Sequence, residues 1–193
     1  MDVTTRPIGP DEFAAFRAVT GFALGFEPHA DDTRLLGSYF EYDRSVAAFD
    51  RGRIVGTLGA FSLQLSVPGG SLPACGTTFV GVLPPHRRRG LLRRMMADHL
   101  ADVRRRGEPL AALWASEAPI YGRFGFGLAA WQAEQVIARD HLRWAAGAPA
   151  PAGALRMVDA AEALRLFPAV YDRVRALTPG MLARSAAWWE QRS

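Results

Sequence analysis

The stretch from residue 78 to residue 131, TFVGVLPPHRRRGLLRRMMADHLADVRRRGEPLAALWASEAPIYGRFGFGLAAW, constrains the fold more than any other part of the chain. It orders a strand, a turn dense in arginine that ends in glycine, an amphipathic helix, a second strand, and a tyrosine just beyond it. Within residues 91–106, Leu91, Leu92, Met95, Met96, Leu100 and Val103 recur at helical spacing, while Arg93, Arg94, Asp98, Asp102 and Arg105 face away. Gly107 closes this helix. Residues 110–115 read as a buried strand, and residues 119–124 as a short helix punctuated by Gly125 and Gly127.

On either side of this block the pattern switches between periods. Residues 3–8 read as a strand, and Gly9-Pro10-Asp11 starts a helix with Phe13, Phe16 and Val19 on one face, closed by Gly21. Asp31 or Asp32 is placed to cap a second helix running to about residue 40. Residues 45–49 and 53–67 read as strands joined by a turn at Asp50-Arg51-Gly52. In the second, Leu63, Leu65 and Val67 alternate with Ser62, Gln64 and Ser66, the period of a half-buried strand. Pro68-Gly69-Gly70-Ser71 turns the chain into a strand over residues 72–83, which Pro84-Pro85 stops. Residues 130–139 read as a last strand.

Residues 145–153, AAGAPAPAG, have the composition of a linker. After it, residues 155–158 suggest a strand, and Asp159 with Glu162 resembles a capping box opening another helix. Trp188 and Trp189 near the C-terminus require something to pack on. The expected division is one domain over residues 1–144, a linker over 145–154, and the start of an incomplete second domain over 155–193.

Hydrophobic residues make up 49% of the 193, enough for a sizeable core. No apolar run approaches the ~20 residues of a membrane span, and the N-terminus does not read as a signal peptide. The single Cys75 forms no internal disulfide and reads as an inert buried thiol, which points to a reducing, cytoplasmic setting. His29, His86, His99 and His141 are isolated, without metal-ligand spacing, and read as surface or helix-face residues. All 23 basic residues are arginine, and the net charge is +4. That balance favours a polyanionic ligand.

Arg87-Arg88-Arg89-Gly90-Leu91 sits where a strand hands over to a helix. The first amides of a helix have no partner within it, and its dipole adds partial positive charge there. Gly90 lets backbone approach a ligand closely. Alone, such a turn also fits a solvated basic loop or a nucleic-acid contact. The strand before it and the helix after it point to phosphate. Tyr121 reads equally as a core aromatic beside Phe124 and Phe126 or as a proton donor.

R-x-x-G after a strand and opening a helix resembles the acyl-CoA signature of the GCN5-related N-acetyltransferases (GNAT). More closely, TFVGVLPPHRRRGLL, LAALWASE and IYGRFGFG are similar to the N-terminal domain of the Eis (enhanced intracellular survival) acetyltransferases, as are LQLSVPGG and PGMLARSAAWW. Leu92 stands where many superfamily members carry Gly or Ala. The resemblance implies an α+β fold, a mixed and mostly antiparallel sheet flanked by helices, with acetyl-CoA as co-substrate in a V-shaped opening between two central strands. It implies that Phe79, Val80 and Val82 lie along the pantetheine arm, where Val80 and Val82 offer it backbone groups. It also places Arg87, Arg88, Gly90, Leu91 and Leu92 around the pyrophosphate and Ser116 along the pantetheine, and makes Tyr121 the general acid. Phe22 and Phe26 fall in the region that would line the acceptor cleft, though both read as readily as core.

The implied activity is transfer of an acetyl group to a primary amine, aminoglycoside-like or lysine-like, by direct attack. No metal, nucleic acid or membrane enters, and the family forms hexamers, so a homo-oligomer is expected. In Eis-type enzymes the base is thought to be a C-terminal carboxylate from a third domain, a role not assigned to Ser193. The alternative is a catalytically incomplete acyl-CoA-binding or oligomerisation module.

Overall fold

The computed structural model of the chain describes residues 3–131, 133–141, 143, 146–149 and 152–190. Its centre is a five-stranded sheet in the order β1-β2-β3-β4-β5. The strands are β1 Val3–Pro7, β2 Val46–Asp50, β3 Arg53–Val67, β4 Gly70–Val82 and β5 Leu110–Ala112. The first four pair antiparallel, and β5 joins β4 in parallel. The β2–β3 hairpin turns at Arg51 and Gly52, both at positive φ (51° and 75°), which matches the twist of its strands. A parallel neighbour needs a crossover, and α3 (Leu91–Arg105) supplies it.

The sheet is buried on both faces, so β2 reads as an unbroken apolar run. Ala47, Phe49, Ile54 and Phe61 face α1 (Phe13–Leu24) and α2 (Ala30–Gly37), meeting Phe13, Phe16, Leu36 and Phe40. Val46, Ala48, Val55 and Leu58 face α3, meeting Leu91, Met95 and Met96. Alternate residues of one strand thus feed two cores, as the two-residue period of a strand requires.

Several boundaries differ from the sequence expectation. Helix α1 does not close at Gly21 but runs to Leu24 and ends on Gly25 at φ 79°. Gly21 serves close packing instead, because a Cβ there would come within 2.5 Å of the Phe26 carbonyl. Neither Asp31 nor Asp32 caps α2; the N-cap is His29, and the two aspartates lie in the first turn, where the dipole favours them. That helix also stops at Gly37, and Phe40 is core. The strand expected over residues 110–115 is only Leu110–Ala112, and the helix over 119–124 is two short 3-10 turns, Ala118–Ile120 and Gly122–Phe124.

Among the described residues, 130–139 and 155–158 form no strand. Trp131 and Val136 stand 88% and 91% exposed, so the apolar alternation there has no described neighbour to supply ladder hydrogen bonds. The boundary expected at residues 144 and 145 lies outside the described residues, as does Ser193.

Helix α4 (Ala160–Leu177) begins on Asp159, whose carboxylate accepts from the Glu162 amide at 2.7 Å. The box is half made, since Glu162 accepts from Arg156 instead. Residues 180–183 then return to the outer end of β3. Ser66 donates to the Met181 carbonyl at 2.9 Å, and Gly180 and Ala183 donate to the Ser66 and Gln64 carbonyls at 2.7 and 2.8 Å. In α5 (Ala186–Glu190), Trp188 meets Phe61 edge-on at 5.8 Å and Trp189 meets Tyr171 at 5.5 Å. The two tryptophans find their partners on the central sheet and on α4.

Candidate active site

Strands β4 and β5 pair only at Ala74↔Leu110, Cys75↔Ala111 and Gly76↔Ala112. Beyond Gly76 the two part, and β4 keeps ladder hydrogen bonds to β3 alone. The result is a V open towards the end of β4, edged by backbone amides and carbonyls that no β5 residue takes up. A bulge sits beside it. Thr57↔Gly81 and Gly59↔Thr78 are successive alternate pairs, so β4 carries an extra residue there, and Phe79 takes φ 51°. The bulge is held by Thr57, whose hydroxyl donates to the Phe79 carbonyl at 2.8 Å. Gly59 makes room for it, because a Cβ there would lie 2.8 Å from the Phe79 ring.

At the mouth of the V, β4 gives way to the arginine turn. Arg88 and Gly90 both adopt left-handed backbone (φ 61° and 79°), and α3 begins at Leu91. A Cβ on Gly90 would meet nothing within 4 Å, so glycine is favoured there by conformation and not by crowding. The first carbonyl used by the helix is Gly90's, which accepts from Arg94 at 3.0 Å. The Arg87 amide donates to the Pro84 carbonyl at 3.2 Å, whereas the amides of Arg88, Gly90 and Leu91 have no backbone acceptor among the described residues, and they form an anion nest with the helix dipole behind it.

The sequence-predicted residues separate into distinct positions. Val80, Val82 and Leu92 pack against the cluster that holds Leu91 and Tyr121. Phe79 lies on the other face of the sheet, against Phe16, Phe40 and Phe61. The Arg87 guanidinium is tied to backbone at two of its nitrogens: Nε donates to the Val82 carbonyl at 2.9 Å and Nη2 to the Ala23 carbonyl at 3.3 Å. It braces the end of β4 against the end of α1. The Arg88 side chain is exposed and has no hydrogen bond or ion pair among the described residues. Ser116 is exposed, one residue past Ala115, which does pack against the Tyr121 cluster.

Tyr121 is 9% exposed, between the two 3-10 turns, with Phe126 edge-on at 6.0 Å. Burial raises the pKa of its phenol, and the charge of Glu117 raises it further. The hydroxyl is therefore protonated through neutral pH.

On the opposite face of Phe79, α1 and α2 enclose a groove of about 1130 Å³ lined by Phe13, Phe22, Phe26, Glu27, Pro28 and Arg17, among others. Phe22 and Phe26 are not core; they stand 70% and 42% exposed at this groove. Arg17 went unnoticed in the sequence, although it is one turn from Phe13 on the buried side of α1.

Behind the V lies a buried polar network. The Arg44 side chain is wholly buried, donates to both carboxylate oxygens of Glu108, and donates to Ser62 at 2.6 Å. Asp102 is not solvent-facing as its place in the helical pattern suggested; it is buried and accepts from Arg106 at 2.8 Å. Nor is His99 at the surface. It is fully buried, with Nε2 2.8 Å from the Thr77 hydroxyl, and burial followed by the Arg44 charge lowers its pKa to about 4. Cys75, 3.8 Å away, is pushed up to about 11, chiefly by burial, and is an inert thiol.

A mixed, mostly antiparallel five-stranded sheet, flanked by helices and opened between a parallel pair, is the GNAT fold. The acetyltransferase (GNAT) domain family matches residues 4–129, and the chain belongs to that family. Its homology runs over the N-terminal half of Eis-type N-acetyltransferases. An uncharacterized N-acetyltransferase of Streptomyces griseus is 42% identical over 201 residues, covering 100% of this chain and 48% of the relative. N-acetyltransferase Eis of Mycobacterium tuberculosis is 42% identical over 142 residues, 72% of this chain and 35% of that protein. The crystal structure of Eis1 from Mycobacterium abscessus superposes with a TM-score of 0.76 at 30% identity, covering 99% of this chain and 47% of that one. A GNAT-family acetyltransferase from Brucella melitensis, 21% identical with a TM-score of 0.54 over 66% of this chain and 84% of that one, was solved in complex with acetyl-CoA. The chain spans about half the length of the curated relatives it matches. No helix among the described residues is long and apolar enough to cross a membrane.

Proposed function

We propose that this domain binds acetyl-CoA in the V between β4 and β5 and serves transfer of its acetyl group to a primary amine. The observation that carries the reading is the junction of an unpaired strand edge with an anion nest at Arg88–Leu91. A long ligand with a phosphate-rich end and an amide-rich arm fits both. The nest amides and the Arg88 guanidinium hold the pyrophosphate, and the backbone at Val80 and Val82 takes the pantetheine amides. Arg87 acts through the fold, by fixing where β4 ends.

Acetyl-CoA supplies an acetyl group already activated as a thioester. The amine nitrogen bonds the acetyl carbon as the carbon–sulfur bond breaks; Tyr121 gives its Oη proton to the departing sulfur and is reprotonated from solvent, while the new amide nitrogen releases its surplus proton to solvent. The match of acidities supports this role, since an ordinary phenol near ~10 is protonated where a thiol near ~8.5 leaves. The chain's relation to Eis supports an aminoglycoside-like or lysine-like acceptor.

Isothermal titration of acetyl-CoA, with coenzyme A beside it, into the 193-residue protein tests the reading. Saturable one-to-one binding is expected. A folded, monodisperse sample that binds neither would overturn the assignment of the V.

A further inference from the structure

Arg17 brings a positive charge to the floor of the α1–α2 groove, and no carboxylate among the described residues pairs with it directly. The residue is 8% exposed, and its Nε is buried without a hydrogen-bond partner. No carboxylate among the described residues lies within ion-pair distance of it. The guanidinium instead lies 4.9 Å from the centre of the Phe79 ring and 5.6 Å from that of Phe26. Burial makes its charged form less comfortable, and the distant charge of Asp32 offsets this only in part.

Arg44 shows how the same fold treats a buried arginine that is structural. Its Nε likewise lacks a hydrogen bond, but Asp102 stands 3.8 Å from that atom, Glu108 accepts from both terminal nitrogens of its fork, and Ser62 accepts besides. A buried guanidinium left unpaired is costly, and stacking on aromatic rings returns only part of that cost. Arg17 differs from Arg44 in a second way: it lines an open groove. An anion can reach it from solvent, and the walls around it are mostly apolar, with Glu27 and Arg34 also on the lining, the usual make-up of a small-molecule pocket.

We propose that the acceptor amine carries a carboxylate, and that Arg17 holds this carboxylate at the floor of the groove. A single planar fork suits a carboxylate, bound through two parallel hydrogen bonds. Phe13, Phe22, Phe26 and Pro28 cover an aliphatic stem. Arg17 stacks on Phe79, the residue of the β4 bulge, so a ligand anchored on Arg17 begins beside that bulge. The acceptor class is then an amino acid or a peptide terminus with an amine on a flexible chain, in preference to a polycationic amino sugar. This rests on the reading of the V as the acetyl-CoA site.

The test compares 6-aminohexanoate with 6-aminohexanamide, which share amine and stem and differ only in the carboxylate. Each is titrated into the 193-residue protein by calorimetry, beside a separate acetyl-CoA titration. The acid is expected to bind about 10-fold or more tighter than the amide, the worth of a charged hydrogen bond. Arg17→Gln abolishes the difference, and Arg17→Lys, which keeps the charge without the fork, retains part of it. Equal affinity for acid and amide, no measurable binding of the acid, or a preference that survives Arg17→Gln overturns the proposal. Should Arg17→Gln fail to fold, the wild-type comparison and Arg17→Lys decide alone. Acetyl-CoA binding without acid preference sinks this inference and leaves the V assignment standing. Acid preference without acetyl-CoA binding does the reverse.

Discussion

The Thr57 hydroxyl donates to the Phe79 carbonyl at 2.8 Å, and this bond ties the middle of β3 to the bulge that shapes the V. Thr57 is fully buried, and the Thr20 hydroxyl of α1 sits 3.1 Å from its own. Thr57→Val keeps the shape and removes the donor. The carbonyl is left short of a partner, at a cost of about 1–3 kcal/mol. Chemical denaturation is expected to show that loss. Acetyl-CoA titration should weaken as well, because the extra residue in β4 is no longer held. Unchanged stability would show that the bulge is set by Gly59 and Phe79 alone.

His99 gives the protein a pH dependence of definite sign. Its folded pKa, about 4, lies below the ordinary 6.5 because of burial and the Arg44 charge, with Asp102 and Glu108 opposing. Between these values the unfolded chain binds the proton and the folded one does not, so stability falls as pH drops through that window. A fall of roughly 3 kcal/mol between pH 7 and pH 4 is attributable to this group. His99→Gln is expected to flatten the denaturation midpoint across that range. A midpoint in that variant as steep in pH as the wild type's would assign the slope to other groups.

The parts of the site legible in sequence are those built from local pattern. The arginine turn, Gly90 and the helix after it are contiguous, so spacing gave the order of strand, turn and helix. The division of α3 failed only at Asp102 and His99, where the partners, Arg106 from the next turn and Thr77 from β4, satisfy polar groups on a buried face. Periodicity assigns such positions by type and has no access to a partner 22 residues away. The bulge at Phe79 was equally out of reach, since its causes are a threonine and a glycine on a different strand. Arg87 and Arg88 look alike in a run of three, yet backbone carbonyls of β4 and α1 occupy one and leave the other exposed. The strand read over residues 130–139 shows the converse: alternation describes a half-buried strand only where a neighbour completes the ladder.

Replacing Tyr121 with Phe removes one hydroxyl and keeps the ring that packs with Leu91 and Met95. Folding and acetyl-CoA affinity are expected to persist. If Tyr121 delivers the proton to sulfur, kcat falls by about 10²–10⁴-fold with little change in KM. The raised phenol pKa also means that no loss of rate near neutrality arises from its ionisation. Steady-state kinetics with 6-aminohexanoate or lysine as acceptor measures this, and a fully active Tyr121→Phe enzyme would remove the residue from the proton path.

Arg87 and Arg88 are expected to fail in different measurements when cut to alanine. Arg87→Ala loses the bonds to the Val82 and Ala23 carbonyls, so its first effect is on stability, about 1 kcal/mol for partly exposed bonds. Any loss of acetyl-CoA affinity follows from a displaced strand end. Arg88 has no such bonds and sits at φ 61°, where alanine carries the same backbone cost as arginine. Arg88→Ala therefore leaves the denaturation midpoint nearly unchanged and weakens acetyl-CoA binding by about 1.5–3 kcal/mol, the worth of a charged hydrogen bond. Added salt separates the two further, because a ligand contact made by a guanidinium at the surface is screened. Wild-type affinity should drop between low and moderate salt, and that of Arg88→Ala should drop less. An Arg88→Ala protein with wild-type affinity and wild-type salt dependence would mean that the backbone amides of the turn hold the phosphates unaided.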